Sequence, residues 1–128
     1  MKETKTIKIK NWSDIPKNFT GVAEYENGSK SWYKDGKRHR RNGPAVECFD
    51  GTKYWYKEGD PHREDGPAVE YSDGVKNWYL EGKFYGRLSL SNYVVLDSYK
   101  GEYGIMWHKL LGKDKVVEYP DIPGLIEK

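Results

Sequence analysis

Trp32, Trp55 and Trp78 stand 23 residues apart, and Tyr33, Tyr56 and Tyr79 follow them in the same step. Gly28, Gly51 and Gly74 keep the 23-residue spacing, as do Gly36, Gly59 and Gly82. Gly43-Pro44-Ala45-Val46-Glu47 returns as Gly66-Pro67-Ala68-Val69-Glu70, His39-Arg40 returns as His62-Arg63, and Gly21-Val22-Ala23-Glu24 is an eroded earlier copy. A fixed period of this kind means one supersecondary unit stacked on its neighbours, because a single unit cannot bury its own apolar face. The repeat spans residues 22–86. It leaves residues 1–21 as an N-terminal strand with a turn leading into the repeat, and residues 87–128 as a C-terminal capping segment, all in one structural domain.

Within a copy the chemistry is that of a β-hairpin. Ala45 to Phe49 alternates as a half-exposed strand does, Asp50-Gly51 suits the positive φ angles of a two-residue type I′ turn, and Thr52 to Lys57 returns as a β-branched and aromatic strand. Glu58-Gly59 marks a second reversal, and the run from His62 to Pro67 links one copy to the next. Side chains of a strand alternate between faces. The Trp residues therefore share one face with Lys30, Lys53 and Lys76, and the Tyr residues line the other. The fold class expected is all-β, with one short C-terminal helix allowed: an elongated, twisted antiparallel sheet of stacked hairpins.

Composition agrees with a thin aromatic core. Apolar residues make up 36% of the 128, mean hydropathy is −0.97, and charged residues reach 33%. Five Trp, eleven Tyr and three Phe offset that polarity, since each buried ring removes about 150–250 Å² from water. Cys48 is the only cysteine, which excludes an internal disulfide and fits a reducing compartment. The Met1-Lys2-Glu3 start leads into no apolar run, and no stretch approaches the length of a membrane span. The expected location is cytoplasmic.

The pattern W-Y-x-[DE]-G-x-x-H-R-x-x-G-P-A-x-E-x-x-[DN]-G resembles the MORN-like hairpin repeats of bacterial and bacteriophage proteins. The resemblance covers about half the chain and implies an interaction platform, with no activity common to the group. In a phage or bacterium it implies an inhibitor or decoy acting on a host or defence-system protein, in the host cytoplasm if phage-encoded. The third copy breaks the pattern, reading Phe84-Tyr85-Gly86-Arg87 where the second copy has Pro61-His62-Arg63-Glu64 in its link. A terminal unit has no following neighbour to pack against.

The flanks read as strands. Thr4 to Lys10 alternates strictly and should cover the first open edge of the sheet. Tyr93-Val94-Val95-Leu96 and Lys115 to Tyr119 are strand candidates, while Tyr103 to Leu111 fits a short helix or a strand. The 87–128 segment is expected to cap the C-terminal edge, since an open edge invites aggregation.

No catalytic constellation emerges, so the chain reads as a non-enzyme without cofactor or metal. His39 and His62 stand one copy apart, about 10 Å in a sheet with strands about 4.8 Å apart, too far to share a zinc at about 2.0–2.1 Å per ligand. Their expected role is to hold the link, with the adjacent Arg reaching a carboxylate or carbonyl. Binding candidates are the basic run containing Lys37, Arg38, Arg40 and Arg41, together with Arg63, Trp32, Trp55, Trp78, Tyr85 and Arg87. The expected partner is a protein, because Trp, Tyr and Arg dominate binding hot spots. Single-stranded nucleic acid or membrane lipid on the aromatic and basic face is the alternative. A second copy, pairing through a sheet edge or the C-terminal segment, is an allowed assembly. The net charge of +2 argues against nucleic acid, whose partners carry a strong basic excess.

Overall fold

The computed structural model describes residues 5–128. Met1 to Thr4, including the first residue of the expected N-terminal strand, lie outside them. The chain is all-β. Its helical pieces among the described residues are three-residue 3-10 turns at Trp12–Asp14, Leu90–Asn92 and Glu102–Gly104, and no helix is long and apolar enough to cross a membrane.

The strands through the third copy are β1 (Thr6–Ile9), β2 (Gly21–Tyr25), β3 (Lys30–Lys34), β4 (Lys37–Arg38), β5 (Val46–Glu47), β6 (Lys53–Tyr54), β7 (Tyr56–Lys57), β8 (Asp60–Pro61), β9 (Val69–Glu70), β10 (Lys76–Leu80) and β11 (Lys83–Tyr85). The main sheet runs β1-β2-β3-β5-β6-β9-β10-β11, with β4 paired to β3; β7 and β8 form their own ribbon. Pairing is antiparallel except at β1, which lies parallel to β2 at the N-terminal edge.

Two kinds of reversal alternate. The second one in each copy is the primed turn: Asp35-Gly36, Glu58-Gly59 and Glu81-Gly82 all have positive φ at both residues, the backbone that a type I′ hairpin requires. At the first reversal only the glycine of Asn27-Gly28, Asp50-Gly51 and Asp73-Gly74 is left-handed, so the type I′ turn expected at Asp50-Gly51 does not form there. Cys48 N–H instead bonds the Thr52 carbonyl at 2.9 Å across a three-residue loop. The Asp50 carboxylate accepts from the Thr52 N–H at 2.9 Å, and Asn27 and Asp73 repeat that bond at Ser29 and Val75. Asx side chains favour this local closure.

Opposite charges alternate along the register. Residues directly opposite one another across successive strands read Lys8, Glu24, Lys30, Glu47, Lys53, Glu70 and Lys76. Each cross-strand pair of opposite sign contributes about 0.2–1 kcal/mol. A slip of one residue would turn the whole row to the other face.

Beyond the third copy, β12 (Leu88–Ser89) pairs in parallel with β16 (Ile126–Glu127), while β13 (Val94–Lys100), β14 (Met106–Leu111) and β15 (Val116–Pro120) form an antiparallel meander. In the segment Tyr103–Leu111, which fits helix or strand by sequence, Tyr103 and Gly104 end a 3-10 turn with positive φ at both residues, and Met106–Leu111 is the strand β14. The C-terminal segment does not extend the sheet at β11. It covers a face instead: Trp78, Leu80 and Tyr85 pack with Leu88, Ile105, Leu110, Ile122, Leu125 and Ile126 into the main core.

Candidate functional site

The sheet presents two chemically different faces. On the Trp face, the link of each copy folds back over its own tryptophan. The Arg40 guanidinium lies 3.9 Å from the centroid of the Trp32 ring, and Arg63 lies 3.8 Å from that of Trp55. Arg40 Nη1 donates to the Pro44 carbonyl at 3.1 Å and faces Glu47 at 3.4 Å. Arg63 repeats the arrangement on Pro67 at 3.0 Å, with Glu70 at 3.8 Å. A Cβ on Gly43 or Gly66 would fall 3.1 or 2.9 Å from the respective guanidinium carbon. The stacked Arg therefore leaves little room for a side chain at the Gly of the motif.

The imidazoles complete the link. Nδ1 of His39 accepts the Glu58 N–H at 3.0 Å, and Nδ1 of His62 accepts the Glu81 N–H at 2.9 Å. Each histidine thus caps the primed turn of the next copy. His62 is buried, and Tyr103 from the C-terminal segment packs on it with ring centroids 4.8 Å apart. The Tyr103 hydroxyl donates to Glu81, and that bond, followed by burial, raises its pKa. In the third copy the residue 23 after Arg63 is Gly86, so no guanidinium covers Trp78. The chain turn at Pro123-Gly124 covers it: Trp78 Nε1–H donates to the Pro123 carbonyl at 3.0 Å.

The Tyr face is different. By strand register it carries Tyr25, Tyr33, Tyr54, Tyr79 and Phe84 among Ala23, Ser31, Val46 and Val69, and Tyr56 joins it through its contacts with Tyr54 and Arg38. Among the paired strand residues its one ionic side chain is Arg38, directly opposite Tyr33 and 5.7 Å from the Tyr56 ring centroid. Tyr71 continues the face, 6.2 Å edge-on to Tyr54, which itself stacks on Tyr56 at 6.3 Å. Burial and the neighbouring Tyr33 push the Tyr25 phenol up, and burial followed by Tyr71 pushes up Tyr54. Both shifts favour the neutral phenol. Burial works against the charge of Arg38, but Tyr33, Tyr56 and Tyr25 together outweigh it and the pKa is raised. At the equivalent position the second and third copies carry Pro61 and Phe84, so this cation is unique to the first copy.

The residues singled out by sequence scatter accordingly. Trp32, Trp55, Arg40 and Arg63 form the two stacks. Trp78 and Tyr85 are buried in the C-terminal core. Lys37, Arg41 and Arg87 are exposed on the surface. Arg38 points to the Tyr face, away from the rest of its basic run. The tyrosines themselves were legible as a ladder, and the signal that raises them to a site is negative: their strand positions lack Lys and Glu.

Fold and geometry together define an all-β hairpin array with one ionic face and one tyrosine face. No family model, no curated protein and no solved structure matches this chain.

Proposed function

We propose that this chain is a non-enzymatic protein-binding module and that its contact surface is the tyrosine face around Arg38. The observation that carries the reading is the separation of charge: one face holds the Lys–Glu ladder, the other a single guanidinium among phenols. Burying charge without a partner is costly, so a neutral aromatic face is the one a partner can desolvate cheaply. Tyr supplies rigid amphipathic contact area at low entropic cost, and interface centres are poor in charge but rich in Tyr and Arg. The C-terminal core covers the Trp side of the last copy and leaves this side open. The resemblance to MORN-like platforms supports the same reading, and in a phage or bacterium it extends to an inhibitor or decoy of a host or defence-system protein. The alternative of single-stranded nucleic acid or lipid on the Lys-bearing face is weakened by the ladder, in which Glu24, Glu47 and Glu70 alternate with the four Lys.

Affinity capture with the tagged chain tests the reading. A stoichiometric protein should be retained by the wild type and by Lys53→Ala, and lost with Arg38→Glu or Tyr54→Ala. Retention by both face variants, or no stoichiometric protein at all, would remove the proposal.

A further inference from the structure

The two link histidines are alike at Nδ1 and unlike at Nε2. Nε2 of His62 meets the Glu64 carboxylate at 2.9 Å. The residue 23 earlier than Glu64 is Arg41, so the first link has a cation in the place of that carboxylate. Among the described residues none hydrogen-bonds Nε2 of His39. Because Nδ1 accepts the Glu58 N–H, the proton of the neutral imidazole sits on Nε2, which makes it a donor. Beside it runs an open groove of about 960 Å³ whose walls include Lys34, Arg41 and Lys57. The place of Lys57 is taken by Leu80 in the next copy. Of the acidic groups in the groove, Glu64 is held by His62 and Asp65 by Arg63 Nε at 3.0 Å, leaving Glu58.

We propose that this groove binds a tetrahedral oxyanion of the phosphate class, with His39 Nε2–H as the directional donor and Lys34, Arg41 and Lys57 as the counter-charge. The second copy contains the analogue: the Glu64 carboxylate is the internal anion that occupies the corresponding donor. Burial, followed by Lys34, lowers the His39 pKa, with Glu58 opposing and Lys57 and Arg41 adding to the depression. An incoming anion offsets that crowding. Tyr56 is the residue this groove shares with the tyrosine face, but none of the proposed anion-binding groups belongs to that face, so the site stands or falls independently of it.

The test is a titration of the full chain with inorganic phosphate and, separately, glycerol 3-phosphate, at ionic strength matched with sodium chloride, read by NMR at the side chains of both link histidines. Saturable movement of His39 with His62 still is the expected result. Binding of both anions marks a phosphomonoester-type ligand and binding of inorganic phosphate alone marks the free ion; either supports the site. Arg41→Glu recreates the second copy's carboxylate and should weaken binding by about tenfold or more, since one charge-assisted contact is replaced by a like charge. Lys34→Leu, which touches neither stack, should weaken it to a smaller extent. Equal movement of both histidines, the same movement with chloride alone, or unchanged affinity in Arg41→Glu would overturn the proposal.

Discussion

The Arg–Gly dependence in the link makes a sign-reversing prediction. Gly66 does not have positive φ, so its backbone conformation is open to alanine. What excludes a side chain is the Arg63 guanidinium, 2.9 Å from where the Cβ would lie. That guanidinium cannot retreat easily, being held over Trp55, on the Pro67 carbonyl and on Asp65. Gly66→Ala should therefore cost about 1–3 kcal/mol as overpacking. Arg63→Ala removes a stack worth about 0.5–2 kcal/mol and a charged hydrogen bond worth about 1.5–3 kcal/mol, while the exposed Asp65 pair adds at most about 1 kcal/mol. These overlap, and a net loss of about 2–4 kcal/mol is expected. In the Arg63→Ala background the clash is gone. Gly66→Ala should then stabilise by about 0.4–1 kcal/mol through the restricted unfolded chain. Urea denaturation of the four proteins measures the cycle, and each kcal/mol corresponds to a shift in melting temperature of about 3–6 °C at this chain length. An equal cost of Gly66→Ala in both backgrounds would show that something other than the guanidinium demands the glycine.

Two further outcomes follow from the C-terminal segment. Trp78 is 4% exposed and joins the array to the C-terminal core, so Trp78→Ala should cost about 3–5 kcal/mol. Trp32→Ala, at a half-buried ring under Arg40, should cost clearly less; equal losses in chemical denaturation would contradict the covering role of Pro123-Gly124. Asp121 is pushed up by burial, but bonds from His108 at 3.2 Å and Lys128 at 3.1 Å outweigh this and hold its carboxyl below the ordinary value. A depressed folded pKa contributes stability above the unfolded value of about 3.9, and that contribution is lost as pH falls through the lower folded pKa. Wild-type stability should therefore drop more steeply below about pH 4 than that of Asp121→Asn, and parallel acid-unfolding curves would refute the assignment.

Much of the hairpin array was readable because its determinants are local. Turn glycines, strand alternation and the Trp–Tyr parity all act within a few residues of themselves. The type I′ turn expected at Asp50-Gly51 forms instead at Glu58-Gly59; Asp-Gly and Glu-Gly look equivalent as dipeptides. The Asx bond from Asp50 to Thr52 selects the three-residue loop, while Glu58 has its N–H fixed by His39 from the preceding copy. The C-terminal segment was harder to place. Its aliphatic strands promise an edge cap, but whether they extend the sheet or cover it depends on Trp78 losing its guanidinium, a contact decided 45 residues away. The candidate site was the least legible part. Arg38 sits in a basic run with Arg40 and Arg41, and sequence alone does not separate residues that alternate to opposite faces and into a link.

That separation bears on how such a chain can carry a function at all. The features that favour the register and hold the copies together lie on the Trp side: the charge ladder, the two Arg–Trp stacks, the histidine caps and the packing of the C-terminal core. On the Tyr side the packing that must be kept is the row of small residues, Ala23, Ser31, Val46 and Val69, among the rings. The half-exposed phenols beside that row meet mainly one another and Arg38. Their exchange therefore disturbs few bonds that the fold depends on, because surface substitutions away from caps, cores and networks usually change stability by no more than about 0.5 kcal/mol. Specificity can change on that face while the register is held from behind. The repeated positions thus account for the architecture, and the singular ones, Arg38 toward one face and Arg41 toward the other, are where the first copy acquires chemistry its neighbours lack.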